Sequence, residues 1–373
     1  SANQRGIKMP SKITGHRKTP FRRTLLAAGV AAALGTSASL AFSAEIEEIV
    51  VTARQRSESS QDIPMMIQSL TGEDLEKQGI TTLEDFSRFV AGLNIHTSTP
   101  GQNTIVFRGV SDGGGFLVDP TAAVYLDEQP MSQTSWAPDV YPVDIARVEA
   151  LAGPQSTLYG ASSQSGAIRV ITNKPDPEAF EANIGVGFTQ VENGGMGHDL
   201  DATVNIPVSD SVAIRLSGFS AEDAGFIDNV LGTTVFDDYF GTGMGGLKDN
   251  SALVEDEINS VEWKGARAAI RWLINDNWTA TLGTNYQDLT ANGFNDYDPS
   301  VGDLSTVKFA DEFRTDEWTQ TSLVIEADLG FAQLVSATSY YDRDFLYQHD
   351  TQSYAAYFHY NFGHCYYTNG VTG

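Results

Sequence analysis

From Glu181 onward the chain alternates apolar and polar residues in runs of about ten, the period-two pattern of strands with one apolar and one polar face. In "LDATVNIPV", Leu200, Ala202, Val204, Ile206 and Val208 oppose Asp201, Thr203 and Asn205. Ala182, Ile184, Val186 and Phe188 oppose Asn183 and Thr189 in the same way, and Trp278, Ala280, Leu282 and Tyr286 oppose Thr279, Thr281, Asn285 and Gln287. Tight turns at 209–211, 275–277 and near Gly330 alternate with long loops, of which 222–262 carry ten acids and one lysine and 288–317 eight acids and two bases. Short turns at one end, long loops at the other and polar second faces predict a transmembrane β-barrel rather than a soluble sandwich, with Trp278 and Tyr286 at its aromatic girdles. Seven or eight strands fit between Glu181 and His364. A barrel of about eight strands encloses only its own side chains, so residues 177–373 read as the front part of a larger barrel. The final residues, "HCYYTNGVTG", contain no closing strand, which points the same way.

Upstream the pattern is different. Thr71 with Asp74 makes a capping arrangement, Gly79 stops a short helix, and a second helix starts at Thr81 or Thr82 with Leu83, Phe86 and Val90 on one face, ending at Gly92. Short β-type runs follow, "TIVFRGV", "AAVYLDEQP", "ARVEALAGP" and "GAIRVITNKP", separated by Gly, Pro and Ser clusters. Residues 63–176 therefore read as one small α+β domain. Before it, "EIVVTA" resembles a lone strand, and the polar run Arg54 to Asp62 gives it nothing to pack against.

Charge and cysteine usage narrow the function. Residues 1–44 hold seven Lys/Arg and no acid; the remainder carries 16 bases against 48 acids. The basic start, the run "TLLAAGVAAAL" and the small residues of "SASLAFSAE" predict a secretory signal peptide cut between Ala41 and Ala44. The acidic remainder offers no surface for phosphates, so nucleic acid is not an expected partner. A single cysteine, Cys365, excludes an intrachain disulfide and any cysteine-based zinc pattern. No phosphate-binding glycine loop, close His pair with a carboxylate or nucleophile elbow is present, so no catalytic residue, cofactor or metal is expected.

In combination and order, four stretches resemble a TonB-dependent outer-membrane receptor: "EEIVVTARQRSESSQDIPMMIQSLTGEDLEKQGITTLEDFSRFVAGLNI", "VFRGV", "AAVYLDEQP" and "DIARVEALAGPQSTLYGASSQSGAIRVITNKP". The resemblance implies an α+β plug domain followed by an antiparallel barrel, incomplete in this chain. It divides the chain into a leader (1–44), a TonB box with polar tether (45–62), a plug (63–176) and the first part of the barrel (177–373). Glu47, Glu48, Ile49, Val50, Val51, Thr52 and Ala53 become the segment that adds to the sheet edge of TonB, which belongs to an inner-membrane, proton-driven complex. Arg108, placed mid-strand in an apolar run, becomes a plug-to-barrel latch whose acidic partners would lie beyond residue 373. Two departures stand out: Ala152 replaces the family's usual second arginine, and Glu128 its usual glycine.

The implied function is energised import of a ferric siderophore or similar large nutrient across the outer membrane of a bacterium. Asp112, Phe116, Gln133 and Trp136, in the loops after plug strands, are the candidate ligand contacts, with Phe116 and Trp136 able to stack on an aromatic chelator or sugar ring. Packing against barrel side chains is the competing role for both aromatics. The acidic outer loops disfavour a strongly anionic ligand. A sensing receptor would carry an extra folded domain before the box, and a passive pore or adhesin would have no use for the box at all.

Overall fold

The computed structural model describes residues 50–51, 58–59, 66–111, 113–114, 118–131, 135–236 and 246–351. The plug contains strands β1 (Met66–Thr71), β2 (Leu93–Thr97), β3 (Asn103–Phe107), β4 (Ala122–Leu126), β5 (Gln129–Pro130), β6 (Ile145–Ala152) and β7 (Gly166–Thr172). Five of them form a mixed sheet in the order β1-β6-β7-β4-β5, and β2 pairs with β3 separately. Residues 122–126 and 166–172 are continuously apolar apart from Arg169 and Thr172 and are buried throughout, as strands covered on both faces must be. Gly166 permits this closeness, since a Cβ there would lie 2.4 Å from the Phe107 ring and 2.6 Å from the Leu151 carbonyl oxygen.

Helices α1 (Gly72–Gln78) and α2 (Leu83–Ser87) each begin with a complete capping box, Thr71 with Asp74 and Thr82 with Asp85. Gly79 ends α1 in the left-handed conformation, with φ 63°. Leu83, Phe86 and Val90 are buried as the pattern predicts, but α2 stops at Ser87 and reaches Gly92 through turns. Strands β1 and β2 are missed by the apolar pattern. The face of β1 is only partly buried, and β2 is five residues long, so neither gives a strong period.

The second sheet has seven strands in sequence order: β8 (Glu181–Gln190), β9 (Met196–Ser209), β10 (Val212–Asp223), β11 (Val261–Asn275), β12 (Trp278–Ala291), β13 (Phe313–Asp328) and β14 (Gln333–Gln348). All neighbours are antiparallel. The three tight turns fall at the expected places, between β9 and β10, β11 and β12, and β13 and β14. Longer connections occupy 224–260 and 292–312. This open, meandering wall is part of a barrel. Its apolar row is the exposed one, with Ile184 79 % and Phe188 75 % accessible, whereas Asn205, Gln287 and Gln320 of the polar row are buried. The plug covers that polar face.

Candidate functional site

The functional geometry lies where plug meets wall, and it is polar. Asp144 sits in the turn before β6 with φ 56° and a side chain only 2 % exposed. Arg215 of β10 donates to it from Nε (2.8 and 3.0 Å) and Nη2 (2.7 Å). Arg267 of the adjacent strand β11 donates from Nη2 at 3.0 Å and also reaches the carbonyl oxygens of Asp144 and Asn173. Glu181 takes the remaining arm of Arg215 at 3.0 Å. A short distance along the chain, the Asn205 amide of β9 binds the backbone of Asp176 and Ala179, tying the linker to the wall.

Two further contacts continue the interface. The Gln287 side chain of β12 accepts from the Tyr141 N–H at 2.9 Å and donates to the Asp139 carbonyl at 3.0 Å, satisfying plug backbone that neither sheet pairs. Beside it the Tyr141 ring stacks on Phe219 at 4.7 Å and meets Trp263 at 5.4 Å, giving this part of the wall an apolar inner patch. Farther along, Arg314 and Arg343 share Asp316 and donate to the plug carbonyls of Gly101 and Trp136, both at 2.8 Å. Gly101 has to be glycine: its φ is 80°, and a Cβ would lie 2.8 Å from Asp316 Oδ2.

Within the plug, Asp139 ties three segments together by accepting from Leu83 N, Gly101 N and Asn103 Nδ2 at 2.7–2.8 Å. Burial pushes its carboxyl above the ordinary carboxylate range despite those donors. Arg169 is fully buried between Glu149 (2.9 Å) and Glu128 (2.8 Å) and lies over the Tyr159 ring. Glu128, a departure from the family pattern, thus supplies a counter-charge to Arg169, a residue that the motifs did not single out.

Arg108 is not mid-strand. It follows β3 in a turn with φ 51°, is exposed, and donates to Met66 Sδ at 3.3 Å. Among the described residues no carboxylate lies within ion-pair distance of it. Trp136 packs edge-on against Phe345 and Tyr347 of β14, and Arg314 lies over its ring at 5.6 Å. Asp112, Phe116 and Gln133 lie outside the described residues, as do the signal peptide and Glu47, Glu48, Ile49, Thr52 and Ala53 of the box. Val50–Val51 does have a partner: it pairs antiparallel with Glu58–Ser59 in a two-stranded sheet separate from the plug sheet. Sequence reasoning missed Asp144, Arg215 and Arg267 because the arginines are two members of an alternating polar row, and only the fold brings them to a carboxylate 71 and 123 residues away.

Among the described residues one group, Asp296, Glu312 and His349, has metal-ligand geometry. The Lys308 ammonium already lies between two of them, 2.8 Å from Asp296 and 3.0 Å from Glu312, so the cluster is internally neutralised in part. Burial still pushes the Glu312 carboxyl upward.

A small mixed sheet set against the polar inner face of an antiparallel membrane wall defines a plugged outer-membrane barrel. Comparisons with known proteins agree. Residues 59–167 match the TonB-dependent Receptor Plug Domain. The chain is 33 % identical over 129 residues to the pesticin receptor of Yersinia pestis, covering 34 % of this chain and 19 % of that protein. It is 30 % identical over 182 residues to an iron-regulated outer membrane virulence protein of Vibrio cholerae, covering 46 % and 27 %. With the ferrioxamine B receptor of Salmonella typhimurium it shares 27 % over 216 residues, covering 54 % and 29 %. The fold is similar to the crystal structure of the ferric yersiniabactin uptake receptor from Yersinia pestis, with a TM-score of 0.63 at 20 % identity over 79 % of this chain and 43 % of that one. The plug region of the chain is thus similar to that of TonB-dependent receptors of the outer membrane. The chain spans between 19 % and 29 % of the length of these curated relatives.

Proposed function

We propose that the full receptor imports a ferric siderophore across the outer membrane, energised by TonB acting on the segment Glu47 to Ala53, and that it works as a transporter without a catalytic group. The observation that carries this reading is the nature of the plug–wall contact. The plug is held largely by ion pairs and side-chain-to-backbone hydrogen bonds, and its apolar contacts with the wall are separate patches, at Tyr141, at Trp136 and where Trp318 and Tyr341 meet the plug core. Water can replace such contacts once they part, whereas a continuous apolar interface would cost about 25 cal/mol for every Å² exposed. A stopper that has to move and return needs the first kind. Two of the named relatives, the ferrioxamine B receptor and the iron-regulated outer membrane virulence protein, support an iron chelate as cargo.

The strand Val50–Val51 is suited to be the handle. Its ladder with Glu58–Ser59 has two residue pairs, too short to persist alone in water, so it can exchange that partner for the edge of another protein's sheet. Val50→Pro in the full-length receptor removes a ladder donor. Uptake of radiolabelled ferric siderophore by cells is expected to vanish while binding at 4 °C, where transport stops, is kept. Uptake at the wild-type rate in this variant would defeat the energised reading.

A further inference from the structure

We infer that Asp144 is a positioning residue in the path of mechanical load: it is the carboxylate that ties the plug sheet to the wall and must let go before that sheet can move. The inference rests on the energised reading above and follows from strand order. β1 is the first strand of the plug sheet after the proposed handle and lies at its edge, where among the described residues its strand neighbour is β6. The two are antiparallel through six pairs, from Met66 opposite Ala152 to Thr71 opposite Arg147. A pull arriving at Met66 draws β1 along its own axis and passes in shear to β6. The trailing end of β6 is Ile145, and the next residue back along the chain is Asp144. The load therefore leaves the plug sheet through the Asp144 carboxylate into Arg215 and Arg267 on two adjacent wall strands.

The polarity differs from that of the latch the family resemblance implies, in which the plug supplies the arginine, Arg108, and the wall the carboxylates. Here the arginines are on the wall. Both are almost fully buried, with 7 % and 9 % of their side chains exposed, and without Asp144 they would face each other with Glu181 beside Arg215, the more distant charge of Asp127 near Arg267, and backbone carbonyls for compensation. Gln287, which holds Asp139 and Tyr141, lies behind Asp144 on this path and feels the pull only after Asp144 has yielded.

The test is single-molecule pulling of the full-length receptor in a lipid bilayer, through a peptide tag placed before Met66, comparing wild type with Asp144→Asn, Arg267→Gln and Gln287→Leu. The first rupture at fixed load is expected to be faster in Asp144→Asn by roughly 150-fold or more, the factor implied by removing one partner of a buried pair. Arg267→Gln should move it in the same direction by less, and Gln287→Leu should leave the first event unchanged and hasten the second. Arg267→Gln keeps the test open if Asp144→Asn does not assemble. A first rupture at the wild-type rate in Arg267→Gln and in any assembled Asp144→Asn would mean that β1 peels from β6 before the latch is loaded, and would overturn the inference. No ligand enters this measurement. Loss of siderophore uptake as a function would therefore leave the rupture result standing, and an unchanged rupture would leave the transport reading standing.

Discussion

The plug sheet and the wall are built from the same backbone pairing under opposite rules of exposure. In β7 all seven residues are buried, and a charge can be there only because partners surround it, as Glu149 and Glu128 surround Arg169. In β8 no residue is buried, and the outward row Ile184, Val186 and Phe188 is apolar because its solvent is lipid. Across the wall the exposed row is apolar and the buried row is largely polar, interrupted by apolar residues such as Trp263, Leu289 and Trp318 where the plug packs on it. The difference teaches what burial alone does not say. A residue's fate depends on which medium or neighbour covers it, and the wall's polar row is covered by another polar surface.

The comparison can be broken most severely in the plug. Glu149→Ala leaves the fully buried Arg169 guanidinium with one carboxylate fewer, and breaking such a pair costs about 3–5 kcal/mol. We expect the plug of the assembled receptor to become sensitive to added protease. Wild-type resistance in this variant would mean that Glu128 alone satisfies Arg169.

In the wall the rule is sharpened by neighbours that point to opposite faces. Ile184→Arg puts a charge near the middle of the lipid-facing row and should cost about 2–4 kcal/mol, read as a fall in the urea midpoint of the receptor in lipid vesicles. Asn183→Arg, one residue away on the polar side, should shift it far less. Equal shifts would contradict the assignment of faces.

The smallest effect concerns a feature that follows the same rule in either setting, the helix cap. Thr71→Ala removes the α1 cap and should cost about 1 kcal/mol locally. The Thr71 hydroxyl and then its N–H hold the Asp74 carboxyl below its ordinary value of 3.8. A depressed carboxyl contributes stability above its unfolded value and loses it as pH falls through the folded one. The effect of Thr71→Ala, followed by amide exchange over Gly72–Gln78, should therefore shrink below pH 3.8. An effect constant from pH 7 to pH 3 would remove Asp74 from the cap.

How much was legible beforehand depended on the range of each interaction. The capping box at Thr71, a second helix start at Thr81 or Thr82, the stop at Gly79, the three tight turns and the outward apolar rows are set by residues within a few positions of one another, and the sequence alone places them. Arg108 shows the limit. Its neighbours "TIVF" suggested a strand running through it, yet the chain turns there into the left-handed region, which no local pattern announced. Trp136 shows another, because the rings it packs against are on β14, more than 200 residues away.

By itself, then, the sequence determined the order of two parts: a small α+β plug, then strands with one face for lipid. Period, caps and turn residues are short-range and survive without a tertiary context. Only the tertiary structure decided which members of the inner polar row carry the contact. Arg215 and Arg267 are equivalent in pattern to any other polar position of the wall, and become a latch because the turn before β6 brings one buried carboxylate between them. A buried charge is tolerated only where its partner is, and that partner is specified by the fold.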